Sequence, residues 1–284
     1  MSAVVKVTAA VLALFLVSWG MLRFYGLSQP YQAYDHPLMA KNKPWVLAWG
    51  GELEDGPSHS RVALKSASQQ EDVMLAINLQ MNAEKHFFAI PPGFKIGKEL
   101  VKVIELSDAD INSLDLGEGQ HPLSLEQVLA EFPQTPLFIW VGDNTENIDL
   151  RLEPIFKKYP SRQNLMIHSE FDNVVKSIKK LIPDLIYGTG VGQRIRVLML
   201  GSMGLETVAT IDGDFLVAPL RERGVSSISV AMKTEMMRRQ KIFILGPLND
   251  ISANNQALSF GATGYLTSYP RDLKKKLNSS AQTL

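Results

Sequence analysis

The chain has 284 residues, about 45% of them hydrophobic, and its 29 basic residues are cancelled by 29 acidic ones. A chain of this length can bury one large core, and a net charge of zero supplies no field that would gather nucleic acid or an acidic surface. There is no cysteine, which excludes disulfides, thiolate metal sites and a cysteine nucleophile.

Residues 1–26 differ in composition from everything after them. Val7 to Leu22 carries no charge and is bracketed by Lys6 and Arg23. Counted from Ala3, with Lys6 reaching back to the interface, the run approaches the roughly 20 residues that cross a bilayer. Trp19, Phe24 and Tyr25 then fall at the far interface. The expectation is a single transmembrane helix, amino terminus inside, with the following domain extracytoplasmic, either periplasmic or luminal. A cleaved secretory signal, with Ser18 and Gly20 as its small residues, is the competing reading, and a buried soluble helix is the third. Trp19 and the missing Ala-x-Ala pattern speak against cleavage. Residues 27–43 read as an irregular tether.

From Trp45 onward, apolar runs of strand length alternate with helical patterns. Trp45 to Trp49 reads as a strand, followed by an acidic loop, a helix from about Ser58 to Gln69, and runs at Val73 to Met81 and His86 to Ile90. Leu100 to Leu106 is a further short run, and Ser107 to Asp110 opens a helix with a capping box. In Pro122 to Phe132, Ser124 is the N-cap with Gln127 three residues on, and Leu125, Val128, Leu129 and Phe132 share a face. Strands are expected at Pro136 to Val141, Asn164 to His168, Leu185 to Tyr187, Val197 to Leu200, Phe215 to Leu220, Ile242 to Leu245 and Gly261 to Leu266. Helices are expected over Val174 to Ile182 and Asn249 to Phe260. Continuous rather than alternating hydrophobicity indicates a parallel sheet covered on its outer face. So many units in one chain favour a closed (β/α)8 TIM-type barrel over 44–277, with 278–284 as a C-terminal tail. Arg238-Arg239 and Lys274 to Lys276 read as solvated helix faces, and Gly188 to Gly192 and Gly201 to Gly204 as loop turns.

Several stretches resemble one family. Leu106 to Asp115 leads into His121-Pro122-Leu123-Ser124-Leu125-Glu126-Gln127-Val128-Leu129, which is similar to Ile-Pro-Thr-Leu-Glu-Glu-Val-Leu in the glycerophosphodiester phosphodiesterases. Gly261-Ala262-Thr263-Gly264-Tyr265-Leu266-Thr267-Ser268-Tyr269-Pro270 resembles that family's Gly-Val-Asp-Gly-Ile-Ile-Thr-Asp-x-Pro ending. The resemblance implies a TIM-type barrel that hydrolyses deacylated phospholipid diesters with a divalent cation, calcium or magnesium. The catalytic motifs are replaced. The family's His-Arg-Gly stands as Trp49-Gly50-Gly51, its Glu-Asn-Thr as Ser58-His59-Ser60, and its metal-binding Glu-x-Asp as Ala76-Ile77-Asn78. Its His-Asp pair falls on Pro91-Pro92, and its Glu-x-Lys on Trp140-Val141-Gly142.

The expectation is therefore a barrel with no catalytic residue and no metal ligand carried over, which acts by binding a small phospholipid-derived ligand or a protein partner. Trp49, Asn78, Trp140, His168 and Ser169, at strand ends, are its candidate ligand-binding residues. The two tryptophans can floor an apolar or sugar-binding cleft, or simply plug the volume of the missing site. The alternative is a hydrolase with a rearranged site, in which Glu52, Glu54, Asp55 and His59 supply acid, base or metal ligands. A solvated acidic loop is the plainer account of those four.

Overall fold

The computed structural model describes residues 2–31, 34–40, 44–159 and 162–281. Eight parallel strands form its centre: β1 (Trp45–Trp49), β2 (Val73–Met81), β3 (Leu137–Val141), β4 (Leu165–His168), β5 (Ile186–Tyr187), β6 (Phe215–Ala218), β7 (Ile242–Leu248) and β8 (Gly264–Thr267). Hydrogen-bonded neighbours run β6-β7-β8-β1-β2-β3-β4-β5. A parallel bridge between Gly188 and Phe215 joins the two ends, so the sheet closes on itself. This is a TIM-type barrel, as the runs of unbroken hydrophobicity implied.

The closure explains the composition. Inward residues Leu47, Met74, Phe138, Met166, Phe215, Ile244 and Leu266 fill the interior. Outward residues such as Val46, Leu75, Ile139, Ile167, Leu216 and Phe243 pack against helices. Both faces of every strand are apolar because both are covered.

Helix α1 (Ala3–Ser28) precedes the barrel. The outer layer is α2 (Arg61–Ser68), then α3 (Asp108–Ser113) and α4 (Leu125–Glu131) in an excursion between β2 and β3. It continues with α5 (Ile148–Lys158), α6 (Asp172–Leu181), α7 (Val191–Ser202), α8 (Val230–Arg238), α9 (Ile251–Phe260) and α10 (Pro270–Ala281). Both expected capping boxes form: Ser107 with Asp110, and Ser124 with Gln127. In each, side chain and backbone satisfy two otherwise orphan amides reciprocally.

Four expectations are corrected. Val197 to Leu200 lies inside α7, since a short apolar run does not by itself distinguish strand from buried helix. In Leu100 to Leu106 only Leu100 is extended, paired in a small hairpin, and Val103–Glu105 is a 3-10 turn. Phe87–Ala89 pairs antiparallel with the end of β2 and is not a barrel strand. Arg239 is not solvated: it is buried, donating to Glu235 Oε1 at 2.5 Å and to the Ala209 carbonyl at 2.7 Å. The expected barrel end at residue 277 falls within α10, whereas 282–284 lie outside the described residues.

α1 is long and apolar enough to cross a membrane, and none of its most apolar window is buried. Its last turns dock on the barrel. Trp19 Nε1 donates to the Met203 carbonyl at 2.8 Å, Arg23 donates to the Gly204 carbonyl, and Arg238 donates to Gly26 O at 3.3 Å. Gly26 lies so close to Thr207 that a Cβ would sit 2.5 Å from its Oγ1, so only glycine permits this approach. Part of the expected tether is also packed: Leu38, in a 3-10 turn over Pro37–Ala40, is buried with Trp45 and Ile242 at the opposite end of the barrel from the strand C-termini. Lys41 to Lys43 lie outside the described residues.

Candidate functional site

The C-terminal ends of the strands surround a cavity of about 460 Å³. Strand register sets its floor. Trp49 pairs with Ala76, and Trp140 lies between Asn78 on one side and His168 on the other. Trp49 and Trp140 meet with ring centroids 5.4 Å apart, so together they close the barrel axis beneath the cavity. Asn78, Gln80, Glu170, Arg194 and Glu222 supply its polar lining, and Pro92, Pro219 and Pro247 its stiff rim. A larger apolar groove of about 580 Å³ lies between α4 and α5 on the outside of the barrel, away from these strand ends.

His59 does not face the cavity. It is fully buried behind Trp49, edge-on to that ring at 5.3 Å. Its Nε2 accepts the Asn78 backbone N–H at 2.9 Å, so in the neutral ring the proton resides on Nδ1, which donates to Ser58 Oγ at 2.8 Å. Burial lowers its pKa to about 3. The turn that positions it needs glycine twice. Gly50 and Gly51 have φ of +70° and +96°, and a Cβ on Gly51 would lie 2.3 Å from the Ala63 carbonyl carbon.

His168 lies under Trp140, edge-on at 4.5 Å, with Phe138 and Phe215 on its other sides. Its Nδ1 is buried without a hydrogen-bond partner. Burial first, and the positive charge of Arg194 second, lower its pKa to about 3. Ser169 is buried as well and braces the strand end, donating to the Val141 carbonyl at 2.8 Å. Of the five residues expected to bind ligand, Trp49, Asn78 and Trp140 line the cavity, and His168 and Ser169 lie behind it.

The acidic turn after β1 separates from His59. Glu52 is fully buried and accepts from Gln70 Nε2 and from the Arg271 backbone N–H, each at 3.0 Å. Glu54 and Asp55 are held by the Arg271 guanidinium at 3.4 and 2.5 Å. That contact, with a second hydrogen bond from Ser66, holds the Asp55 carboxyl below the usual range. The four residues therefore split: the carboxylates face α10, while His59 faces Asn78. Among the described residues, one trio (Glu84, His86 and Asp108) brings possible ligand atoms within 4.8 Å of one another. It lies on the excursion after β2 and is not part of the cavity lining.

Sequence reasoning missed Gln80, Glu170, Arg194 and Glu222. Gln80 extends β2 beyond its expected site position. Arg194 stands two residues after Gly192, which lies in the first turn of α7 and not in a loop, and that proximity to the glycine-rich stretch was its one signal.

Comparison with known proteins agrees with this architecture. No family model matches the chain. Over 183 residues it is 21% identical to lysophospholipase D GDPD3 of Mus musculus, covering 57% of this chain and 56% of that protein. The chain thus spans little more than half the length of this relative. A phosphodiesterase from Oleispira antarctica, solved in complex with its product sn-glycerol-3-phosphate, superposes with a TM-score of 0.65 at 15% identity, covering 83% of this chain and 97% of that one. A glycerophosphodiester phosphodiesterase from Parabacteroides distasonis gives 0.64 at 15% identity, covering 85% and 100%. The barrel has the glycerophosphodiester phosphodiesterase fold. The resemblance to this family holds at the level of the fold.

Proposed function

We propose that this glycerophosphodiester phosphodiesterase-like protein is held at a membrane by α1 and binds a small phospholipid-derived ligand in its mouth without hydrolysing it. The observation that carries this reading is that the two histidines nearest the mouth, His59 and His168, are buried behind its lining and do not reach the cavity. Phosphodiester cleavage needs a group that accepts a proton from the nucleophile and one that protonates the leaving alkoxide, each with a pKa near the working pH. With pKa values lowered to about 3 by burial, His59 and His168 are weak bases and at neutral pH lack the imidazolium proton that a general acid would donate. The Nε2 of His59 is in addition occupied by the Asn78 amide.

The residues at the family's metal positions do not fit a divalent cation. Asn78 offers a neutral amide whose Nδ2 donates to the Ile90 carbonyl at 2.8 Å, and Ala76, Trp140 and Gly142 offer no side-chain ligand atom. Hard cations need several oxygen ligands, with carboxylates among them, to give up their water. The rearranged-site alternative loses its geometric support, because Glu52, Glu54 and Asp55 are engaged with α10 and do not reach His59.

The test is turnover. Full-length protein in detergent, given a glycerophosphodiester and magnesium or calcium, is expected to release no glycerol phosphate above the blank. Release at an ordinary enzymatic rate, on the order of 1 s⁻¹ or faster, overturns the reading. For the membrane part, the reading is supported by the unburied apolar window of α1, whose last turns dock on the barrel through Trp19 and Arg23, and we place the barrel on the extracytoplasmic side. The chain lacks cysteine, so Ser113→Cys labelled by an impermeant maleimide in intact cells reads the side directly. Labelling only after lysis reverses the assignment.

A further inference from the structure

The mouth contains one buried charge that neither the fold nor the floor of the cavity requires. Arg194, in the first turn of α7, is only 5% exposed, yet it lines the cavity. Its Nη2 donates to Glu222 Oε2 at 2.9 Å, and among the described residues Glu222 is the partner of its guanidinium. A guanidinium has five N–H donors, so much of its donor face is left toward the cavity. Before α7, Asp172 accepts from the Gly190 N–H and from Gln193 Nε2, and a cation in the first turn of a helix faces the positive end of its dipole. The helix end therefore does not explain the arginine.

Glu222 stands on an element of a different kind. Arg221–Glu222 and Val225–Ser226 form a hairpin of two-residue strands, exposed at all four positions, around a turn at Arg223 (φ 50°) and Gly224 (φ 82°). An isolated two-stranded hairpin of this size is marginally stable by itself. Its carboxylate is 46% exposed whereas its partner is buried.

We propose that Arg194 is an oxyanion receptor within the mouth, and that the 221–226 hairpin is a lid whose Glu222 occupies the receptor until an anionic ligand replaces it. The energetics follow from burial. If Glu222 leaves with nothing in its place, Arg194 is an uncompensated buried charge, which is costly. If an oxyanion enters as Glu222 leaves, one buried pair is exchanged for another and the half-exposed carboxylate returns to water. Opening is thereby coupled to anion binding. Glu170, the other carboxylate of the lining, is exposed and screened by water, so it opposes the incoming charge weakly. Trp140 and Trp49 floor the site and set the organic part of the ligand against an aromatic surface.

This inference rests on the reading of the mouth as a binding site, but its test does not use turnover. Full-length protein is titrated with inorganic phosphate, against chloride at equal ionic strength, by calorimetry. Glu222→Gln is expected to bind phosphate about tenfold more tightly than the parent, because the internal competitor is gone. Arg194→Gln is expected to lose binding, and Arg194→Lys to keep it only in weakened form. Equal affinity in the parent and Glu222→Gln, or binding retained in Arg194→Gln, overturns the proposal. Should Arg194→Gln not fold, tryptic cleavage at Arg223 in the parent decides: phosphate is expected to accelerate it, and an unchanged rate overturns the lid. Diester turnover with the expected phosphate behaviour removes the non-catalytic reading alone. No turnover and no Arg194 dependence removes this proposal alone.

Discussion

Two regions at the same end of the barrel handle charge in opposite ways. The turn after β1 is rich in carboxylates, and they are tied into the Arg271 corner: Glu52 through the backbone, Glu54 and Asp55 through the guanidinium. The mouth is poor in charge: two neutral histidines are buried behind it, and its lining carries one buried cation, its half-exposed partner Glu222, and the exposed Glu170. The abundance of acids at the turn reflects a fastening between the first and last barrel segments. The scarcity at the mouth leaves each charged group there with a specific consequence. Density of ionisable residues is therefore the wrong guide to where this molecule meets a ligand.

The largest effect that tests this contrast is pH dependence arising at the mouth. His59 and His168 have folded pKa values of about 3 against an ordinary 6.5. Between those values the unfolded chain binds protons that the folded chain refuses, so stability rises with pH and is fully present only above the unfolded value. Going from about pH 7.5 to about pH 5 should remove roughly 4 kcal/mol, about 2 kcal/mol for each ring. Urea midpoints measured across that window should show it, and His59→Gln should halve the slope. A flat profile would mean the rings are not held neutral, and the argument against acid-base chemistry at the mouth would fail with it.

A smaller effect is expected at the buried member of the turn. Glu52→Ala removes the acceptor for Gln70 Nε2 and for the Arg271 backbone N–H. Leaving such donors unsatisfied costs about 1–3 kcal/mol apiece, so a loss of roughly 3 kcal/mol by urea denaturation is expected. Diester turnover and phosphate binding should be unchanged. A loss of phosphate binding in a folded Glu52→Ala protein would join the turn to the mouth and end the contrast.

How much of this was legible follows from the range over which each signal acts. The barrel could be read from unbroken runs such as Val73 to Met81 and Pro136 to Val141, because burial on both faces leaves a local mark in sequence. The caps at Ser107 and Ser124 were legible for the same reason, their partners being three residues away. Trp49, Asn78 and Trp140 were found because strand ends mark the mouth. The segregation of Glu52 from His59 was not legible, since it depends on Arg271, more than two hundred residues away. Arg194 escaped notice because α7 itself was not read: Val197 to Leu200 passed for a strand and Gly188 to Gly192 for a loop, which left Arg194 in the connection between them. Only closure of the barrel turns it inward, opposite a hairpin that carries no pattern of its own.

The smallest effect concerns the exposed half of the turn. Arg271 joins Glu54 and Asp55, but its side chain is half exposed, and pairs in water contribute little once salt screens them. Arg271→Ala keeps the backbone N–H that Glu52 accepts, so the buried part of the fastening survives the substitution. At about 0.5 M salt the urea midpoint of Arg271→Ala should coincide with that of the parent, and a modest difference should emerge only as salt is lowered. A loss at high salt comparable to that of Glu52→Ala would show that the guanidinium acts as part of one cooperative network. The exposed acids would then be structural in the same sense as Glu52. Coincident midpoints would place the fastening in Glu52 and the backbone of α10, with Glu54 and Asp55 as its solvated fringe.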